Sequence, residues 1–251
     1  MSHPLDGCRE RFERAKEHFE LLDSEWLTWK RAAHEFVVEY DPDSGWHIFR
    51  TKYFDPPPLR LGVIASDYLH QLRATLDNLV CALAEMNGVT CGKHHRFPTT
   101  LDRANWRSDS GSMLKGLRRD HIAEIATVQP YTASYDPIHH PFAALDALNR
   151  LDKHRFLTPT ALSFADSTPE VVVGKPGIAL KEVLFRPGTP LETDGEFLRV
   201  STEPCDEDPQ LQLQSDLGVH ISFGERPIRQ GNLKRIGMAV NDVISRSIFQ
   251  S

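Results

Sequence analysis

The sequence LRLGVIASDYLHQLRATLDNLVCALAEMN occupies residues 59–87 and decides the fold of this chain. Its apolar side chains recur every three or four residues, which places them on one stripe of a helix. The stripe consists of Leu69, Leu72, Leu76, Leu79, Val80 and Leu83. The segment begins after a run of prolines and ends at Asn87-Gly88, and both are typical helix boundaries. We therefore predict a long central helix with one face packed into a core.

Polar side chains lie along one edge of that apolar stripe. His70, Arg73 and Asp77 are three and four residues apart, so their side chains can touch. Arg73 lies nearest the apolar centre, where a charged group needs a partner or must reach water. Two interpretations fit. Arg73 and Asp77 form an ordinary ion pair one turn apart, or the three residues form one edge of a pocket.

The composition is that of an ordinary globular protein, with 40% apolar and 25% charged residues in 251. This length suits one large domain or two small ones. The net charge of −6 argues against broad nonspecific DNA binding. No apolar run reaches the length of a membrane span, and the N-terminal segment lacks the apolar core of a signal peptide. We expect a cytoplasmic protein without a membrane partner.

The pattern along the chain predicts an α+β fold. Residues 1–157 form a mainly helical region with a β-hairpin over 35–54, and residues 158–251 form an antiparallel β region with a closing helix. Both regions are expected to pack as one compact unit. Besides the central helix, helical periodicity appears over 6–34, 113–128, 141–153 and 231–249. Short β-type runs separated by Gly and Pro fill 158–226 and predict an antiparallel sheet of four or five strands.

A second polar cluster ends the helix predicted over 141–153. It consists of Asn149, Asp152, Lys153, His154 and Arg155. Cations at a helix C-terminus interact favourably with the helix dipole, which explains the charges without a function. That explanation does not require a His and an Asn, so the cluster is also a candidate binding site.

The cysteines and paired histidines do not form a metal motif. Cys8, Cys81, Cys91 and Cys205 are scattered without a CxxC pair, which indicates neither a zinc knuckle nor a disulfide framework. Cys81 is expected to be a small core residue. The stretch Lys93-His94-His95-Arg96 has no carboxylate or Cys at ligand spacing and is expected to be an exposed basic loop. We predict no metal and no cofactor.

Several short elements together resemble a family of uncharacterised bacterial proteins with an LHxLRxxLDHL signature. The matching residues are His70-Gln71-Leu72-Arg73 and Leu76-Asp77-Asn78-Leu79. Phe97-Pro98, Gln129-Pro130-Tyr131 and Asp152-Lys153-His154-Arg155 are similar to the FP, QPY and DKHR elements of that family. The matches span residues 60–157. They imply a shared fold, and the family has no settled activity.

A looser resemblance is to HEPN-type helical ribonucleases, which carry an Arg followed four to six residues later by a His. In that superfamily the two residues meet across a dimer and cleave RNA without metal. Here the pattern starts at Arg73, and position 78 is Asn. Asn cannot exchange a proton near neutral pH as imidazole does. His70 and His154 are the histidines that could replace it.

Two functions follow from these observations. The favoured one is a binding or interaction module, in which the polar clusters form a buried network between helices. The alternative is a HEPN-like ribonuclease or nucleotide-binding protein, which implies RNA or a nucleotide as partner and a homodimer. Its candidate catalytic residues are His70, Arg73, Asp77 and His154. Its candidate phosphate-binding or ligand-binding residues are Asn149, Asp152, Lys153 and Arg155.

Overall fold

A computed structural model confirms the α+β fold, with helices, an N-terminal hairpin and C-terminal strands followed by a closing helix. It describes residues 3–32, 34–152, 157–162, 171–173, 179–185, 192–203, 211–213, 220–223, 228–246 and 249. Among these residues no helix combines the length and apolar character of a membrane span.

The helices lie close to their predicted bounds. They are α1 (Asp6–Ala32), α2 (Leu59–Met86), α3 (Trp106–Met113), α4 (Arg119–Thr127), α5 (Pro141–Asp152) and α6 (Gln230–Ile244). The helix predicted over 113–128 starts too early, because residues 114–118 form a turn between α3 and α4 and the helix begins only at Arg119. Gly116 adopts φ +87 in this turn, a left-handed conformation that interrupts a helix and favours glycine. Arg118 is extended at the start of α4.

Among the described residues the strands form three antiparallel sheets, whereas the sequence predicted one sheet over 158–226. They are β1 (His34–Asp41), β2 (Trp46–Phe54), β3 (Pro159–Leu162), β4 (Val171–Val173), β5 (Leu180–Phe185), β6 (Glu196–Thr202), β7 (Leu211–Leu213), β8 (His220–Phe223) and β9 (Ile228–Arg229). The largest sheet has the order β1-β2-β6-β5, so the hairpin pairs with C-terminal strands. The other sheets are β3-β8-β9 and β4-β7. The shared sheet buries Phe49, Leu198 and Val200.

The chain divides into two compact units. The first contains residues 1–23, 60–157 and 231–251, and the second contains residues 24–59 and 158–230. The first unit holds α2 to α5, most of α6 and the N-terminal part of α1. The second unit holds the three sheets and the C-terminal part of α1. The described residues of both candidate polar clusters, which are His70, Arg73, Asp77, Asn149 and Asp152, therefore belong to the helical unit.

The predicted apolar stripe of α2 forms the core of the helical unit. Each of its six members is at most 1% exposed. Tyr68 is also buried on this helix, with its ring 5.3 Å from that of Phe19 on α1. The predicted stripe was correct because helical periodicity alone determines which side chains share a face.

A close approach joins α2 to α6. The Tyr68 hydroxyl donates a hydrogen bond of 3.0 Å to the carbonyl oxygen of Leu233. Burial raises the pKa of this hydroxyl, against a smaller lowering by the backbone of Gly237, so the donor proton is retained. A Cβ atom at Gly237 would lie only 2.2 Å from the Tyr68 oxygen. Glycine at this position therefore allows the two helices to approach this closely.

A disulfide joins Cys81 on α2 to Cys91. Cys81 is half-buried, so the expectation that it is a small core residue was wrong. The scattered cysteines include this bonded pair although their spacing indicated no disulfide framework. The Cα atoms are 5.1 Å apart, within the ordinary range for a disulfide. Gly88 adopts φ +74 directly after α2 and turns the chain back toward the helix. Ten residues separate the two cysteines in the sequence, and this spacing does not indicate that the chain reverses direction between them. The pairing therefore could not be predicted from the spacing alone.

Reducing this disulfide, or replacing Cys81 by Ser, is expected to lower the free energy of unfolding by about 3 kcal/mol. The cross-link restricts the unfolded chain, and this magnitude corresponds to a closed loop of about ten residues. Chemical denaturation of the oxidised protein, with and without a dithiol reductant, measures the difference. Reductant should have no further effect on Cys81→Ser. An equal response of both proteins to reductant would contradict the stabilising role.

Replacing Gly237 by Ala is expected to destabilise the protein by about 1–3 kcal/mol, because the new methyl group meets the Tyr68 hydroxyl. In a helix without the Tyr68 contact, replacing Gly by Ala would stabilise the protein by about 1 kcal/mol. Destabilisation therefore supports the close contact, and stabilisation contradicts it. The double variant Tyr68→Phe/Gly237→Ala should recover stability relative to Gly237→Ala, since the ring carbon that bears the hydroxyl is 3.4 Å from the Cβ position. Thermal unfolding of Tyr68→Phe, Gly237→Ala and the double variant, each compared with wild type, measures this coupling.

Candidate functional site

Arg73 is the centre of the polar network on α2. Its side chain is 12% exposed and forms a two-pronged contact with Asp77, with Nε 3.2 Å from Oδ2 and Nη2 2.8 Å from Oδ1. Nη2 also donates to the carbonyl oxygen of Phe97 at 2.7 Å, and Nη1 donates to the Thr99 hydroxyl at 3.3 Å. Four of the five guanidinium N–H groups are therefore used within the protein.

Asp77 completes a clamp on the chain at Phe97. Its Oδ1 accepts a 2.9 Å hydrogen bond from the Phe97 backbone N–H. The N–H and the carbonyl oxygen of Phe97 are thus both bound by the Arg73–Asp77 ion pair, whose members are one helical turn apart on α2. Charge-assisted hydrogen bonds are stronger than neutral ones, and a fork-shaped Arg–carboxylate contact also fixes orientation. The Arg73–Asp77 pair therefore anchors this loop to α2.

The bound loop is the segment Phe97-Pro98-Thr99-Thr100, which we call the FPTT segment. Its last residue, Thr100, is 2% exposed and uses three polar groups. Its N–H donates to Gln129 Oε1 at 3.0 Å, its hydroxyl donates to Asp109 Oδ2 at 2.8 Å, and its carbonyl oxygen accepts from the N–H of Tyr131 at 3.2 Å. The segment therefore links α2, α3 and the chain that follows α4.

Gln129 holds the other side of this segment. It is fully buried, and its Nε2 donates to the carbonyl oxygen of Ile125 on α4 at 3.1 Å. Arg73 and Asp77, the FPTT segment and Gln129-Pro130-Tyr131 therefore meet in one hydrogen-bond network, in which each part satisfies polar groups of its neighbour.

The network also reaches α5. Asp146 lies on this helix, with Oδ1 3.9 Å from Arg73 Nη1 and Oδ2 3.3 Å from Nη2 of Arg150. Phe97 packs edge-to-face against Phe142 of the same helix, with ring centroids 5.4 Å apart. One ion pair and one aromatic contact thus join α2 and the FPTT segment to α5.

The remaining candidate residues have different surroundings. His70 is exposed on α2 and has no side-chain hydrogen bond among the described residues. Asn149 is 8% exposed on α5, three residues after Asp146. Asp152 is the last residue of α5. Lys153, His154 and Arg155 lie outside the described residues. Whether His154 reaches Arg73 therefore stays a prediction.

The expected basic loop at residues 93–96 is partly wrong, because His95 is buried at 6% exposure. Its Nδ1 accepts a 2.8 Å hydrogen bond from the N–H of Gly92, so Nε2 carries the proton and donates to the carbonyl oxygen of Lys115 at 2.8 Å. This histidine ties the loop to the turn after α3. Lys93, His94 and Arg96 are exposed as expected. In the described part of the chain no group of three His, Cys, Asp or Glu side chains is arranged to hold a metal ion.

Sequence reasoning found Arg73 and Asp77 but missed the residues that give them a role. Those residues are Thr99, Thr100, Asp109, Gln129 and Asp146. One signal was present, since Asp146 lies four residues after Phe142 and therefore on the same side of α5, where a half-buried carboxylate needs a partner. The other contacts join residues up to 29 positions apart in irregular chain, where periodicity carries no information.

No family model, curated protein or solved structure matches this chain.

Replacing Arg73 by Ala is expected to lower the free energy of unfolding by about 2–4 kcal/mol. The change leaves Asp77 and the Phe97 carbonyl oxygen without their shared donor in a largely buried position. Urea denaturation measures the loss. Arg150→Ala is the matched control, because this arginine also contacts Asp146 but its side chain is 71% exposed. It should change stability by less than about 1 kcal/mol. Equal effects of the two changes would contradict the anchoring role of Arg73.

Proposed function

We propose that this protein is a binding or interaction module without catalytic chemistry, and that the Arg73 network braces its helical unit. The observation that carries this proposal is the use of the Arg73 guanidinium within the chain. Four of its N–H groups donate to Asp77, Phe97 and Thr99, and Nη1 also lies 3.9 Å from Oδ1 of Asp146. A phosphate group would have to displace these partners.

The neighbouring carboxylates also support a structural role. Asp77 and Asp146 flank Arg73 and already balance its charge. An anionic substrate at this position would meet two negative side chains, so binding there is electrostatically unfavourable. In a ribonuclease we would expect an arginine with donors free to hold phosphate bidentately.

The acid–base requirement of a ribonuclease is also poorly met among the described residues. Asn78 occupies the position where the helical ribonuclease pattern has its histidine, and the amide does not titrate near neutral pH. His70 is exposed one turn before Arg73 and has no described partner that would orient its ring. General acid–base catalysis needs a positioned proton donor or acceptor.

A binding role requires a surface that is not used by the fold itself. On α6 the side chain of Met238 is 63% exposed, and on the edge strand β5 Val183 and Leu184 are 38% and 48% exposed. Single exposed apolar residues are common. Met238 and Leu184 each border a groove. The groove at Leu184 is lined by the ion-paired Glu196 and Arg199. The groove at Met238 has an aromatic floor of Phe12, Phe19 and Tyr68, which makes α6 the stronger candidate surface for an apolar partner.

A cytoplasmic location belongs to this proposal. Cytoplasmic reductants keep most protein thiols reduced, so in that compartment Cys81 and Cys91 would exist largely as two neighbouring thiols. The stabilisation by their disulfide would then apply under oxidising conditions.

A ribonuclease assay on metal-free protein tests the proposal directly. Wild type, Arg73→Ala and His154→Ala are incubated with single-stranded and structured RNA in the presence of a chelator. We expect no cleavage above the buffer control in any sample, because Arg73 is committed to Asp77 and Phe97. His139→Ala serves as control for histidine loss, since His139 is exposed and lies in the turn before α5.

Cleavage of RNA by the wild-type protein would contradict the proposal. Cleavage by wild type that is retained in His139→Ala and lost in folded Arg73→Ala and His154→Ala would place one RNA-cutting site across the two polar clusters. Circular dichroism of each variant separates this outcome from unfolding. Such a result would replace the binding-module proposal by the ribonuclease alternative.

A further inference from the structure

A groove runs along the surface of the helical unit between α1 and α6. One part has a volume of about 320 Å³ and lies between Phe12–Glu20 on α1 and Lys234–Asn241 on α6. A second part of about 400 Å³ continues past Asn241 to Ser245, opposite Arg9–Glu13. As the residue numbers fall along α1 they rise along α6, so the two walls are antiparallel helices.

The groove has the length of a short helix. Its α1 wall extends from Arg9 to Glu20, which corresponds to eleven helical steps of about 1.5 Å, or roughly 16 Å. About three helical turns of another chain fit alongside this wall. Grooves between helices commonly bind the apolar face of an amphipathic helix.

The floor of the groove is apolar, and Met238 adds an apolar side chain on the α6 wall. Phe12 and Phe19 are half-buried, and Tyr68 closes the floor beneath them. Met238 stands on the α6 wall with 63% of its surface exposed, in the stripe that also contains Lys234 and Asn241. Methionine is unbranched and polarizable, and surfaces rich in it adapt to varied apolar partners.

The two walls of the groove carry different charges at their rims. Glu13 and Lys16 form a 2.7 Å ion pair on α1 and neutralise each other. At the end of the groove near the start of α6, Glu20 lies on the α1 wall and Lys234 on the α6 wall. Lys16 also interacts electrostatically with Glu20, one turn along α1, so the α1 wall with Glu13, Lys16 and Glu20 keeps one net negative charge. Among the described residues neither Glu20 nor Lys234 forms an ion pair or a side-chain hydrogen bond. This end of the groove therefore presents a negative wall opposite a positive one.

We propose that the α1–α6 groove binds an amphipathic helix of a partner protein. The apolar stripe of that helix covers Phe12, Phe19 and Met238. At one end its flank toward α1 carries a basic residue that meets Glu20, and its opposite flank carries an acidic residue that meets Lys234. This inference rests on the proposed binding role and names its surface and the chemistry of the partner.

The fixed shape of the groove supports a preformed site. Tyr68 lies beneath it and holds α6 through the 3.0 Å hydrogen bond to Leu233 and the close contact at Gly237. Phe19 packs on the Tyr68 ring and connects α1 to the same point. A preformed groove loses little conformational freedom on binding, so more of the contact free energy appears as affinity.

Two synthetic fluorescent peptides of about 14 residues, roughly 21 Å of helix, test the inference. Both have the same composition and the same apolar stripe of Leu and Met. In the first turn, one peptide has Lys on the side of the stripe that faces α1 and Glu on the side that faces α6. In the other peptide these two residues are exchanged. Fluorescence anisotropy with the full chain measures both affinities. We expect the peptide whose Lys flank meets Glu20 to bind about tenfold more tightly than its flank-exchanged twin.

Variants of the protein make the test specific. The double variant Glu20→Lys/Lys234→Glu should reverse the preference between the two peptides. Met238→Glu should weaken both by more than about tenfold, because it places a charge against the apolar stripe. Ile138→Glu is the control, since Ile138 is also an exposed apolar residue of the helical unit but lies outside the groove. It should leave both affinities unchanged.

Several outcomes would overturn the inference. These are failure of both peptides to bind wild type, equal binding of the two peptides, and an unchanged preference in the double charge reversal. Sedimentation that shows a wild-type dimer lost in Met238→Glu would assign the groove to a second copy of this chain instead. None of these results bears on RNA cleavage, so failure of the groove and failure of the binding-module proposal are distinguishable.

Discussion

The ion pair between Arg73 and Asp77 is the interaction on which the helical unit depends. An isolated pair of this kind on a helix surface contributes only a few tenths of a kcal/mol. Here the same two side chains bind the N–H and carbonyl groups of Phe97, and Arg73 also contacts Thr99. The pair therefore satisfies backbone groups of a loop that has no regular secondary structure, where unpaired polar groups are costly.

This arrangement explains why an arginine lies so near the apolar stripe of α2. A lysine could neutralise Asp77, but its single ammonium group lacks the planar fork that reaches a carboxylate and a carbonyl oxygen together. The buried position also makes the network sensitive, since removing one member leaves the others without partners. The features that first suggest a phosphate site thus have a sufficient explanation in the packing of α2, α5 and the FPTT segment.

A second constraint is the contact between Tyr68 and Gly237, which determines how closely α6 approaches α2. Because Phe19 of α1 packs on the same ring, one buried tyrosine positions both walls of the α1–α6 groove. The groove is therefore a consequence of core packing. The Arg73 network serves a separate purpose within the same unit, which is why loss of the network and loss of groove binding are expected to be separable.

The sequence by itself determined the longer helices, the hairpin and the buried face of α2, because periodicity and turn residues act over a few positions. It also identified Arg73 and Asp77 as neighbours, since they are one turn apart. Only the tertiary structure decided what that pair does. Its partners at Phe97, Thr99 and Asp146 are separated from it by 20 or more residues in the chain. The sequence also did not predict the Cys81–Cys91 disulfide, which depends on a chain reversal after α2. Nor did it predict the contact of Gly237 with Tyr68, which depends on how α6 packs on α2. Local patterns specify which face of an element is buried, whereas pairings between elements depend on chain reversals and helix contacts that no local pattern encodes.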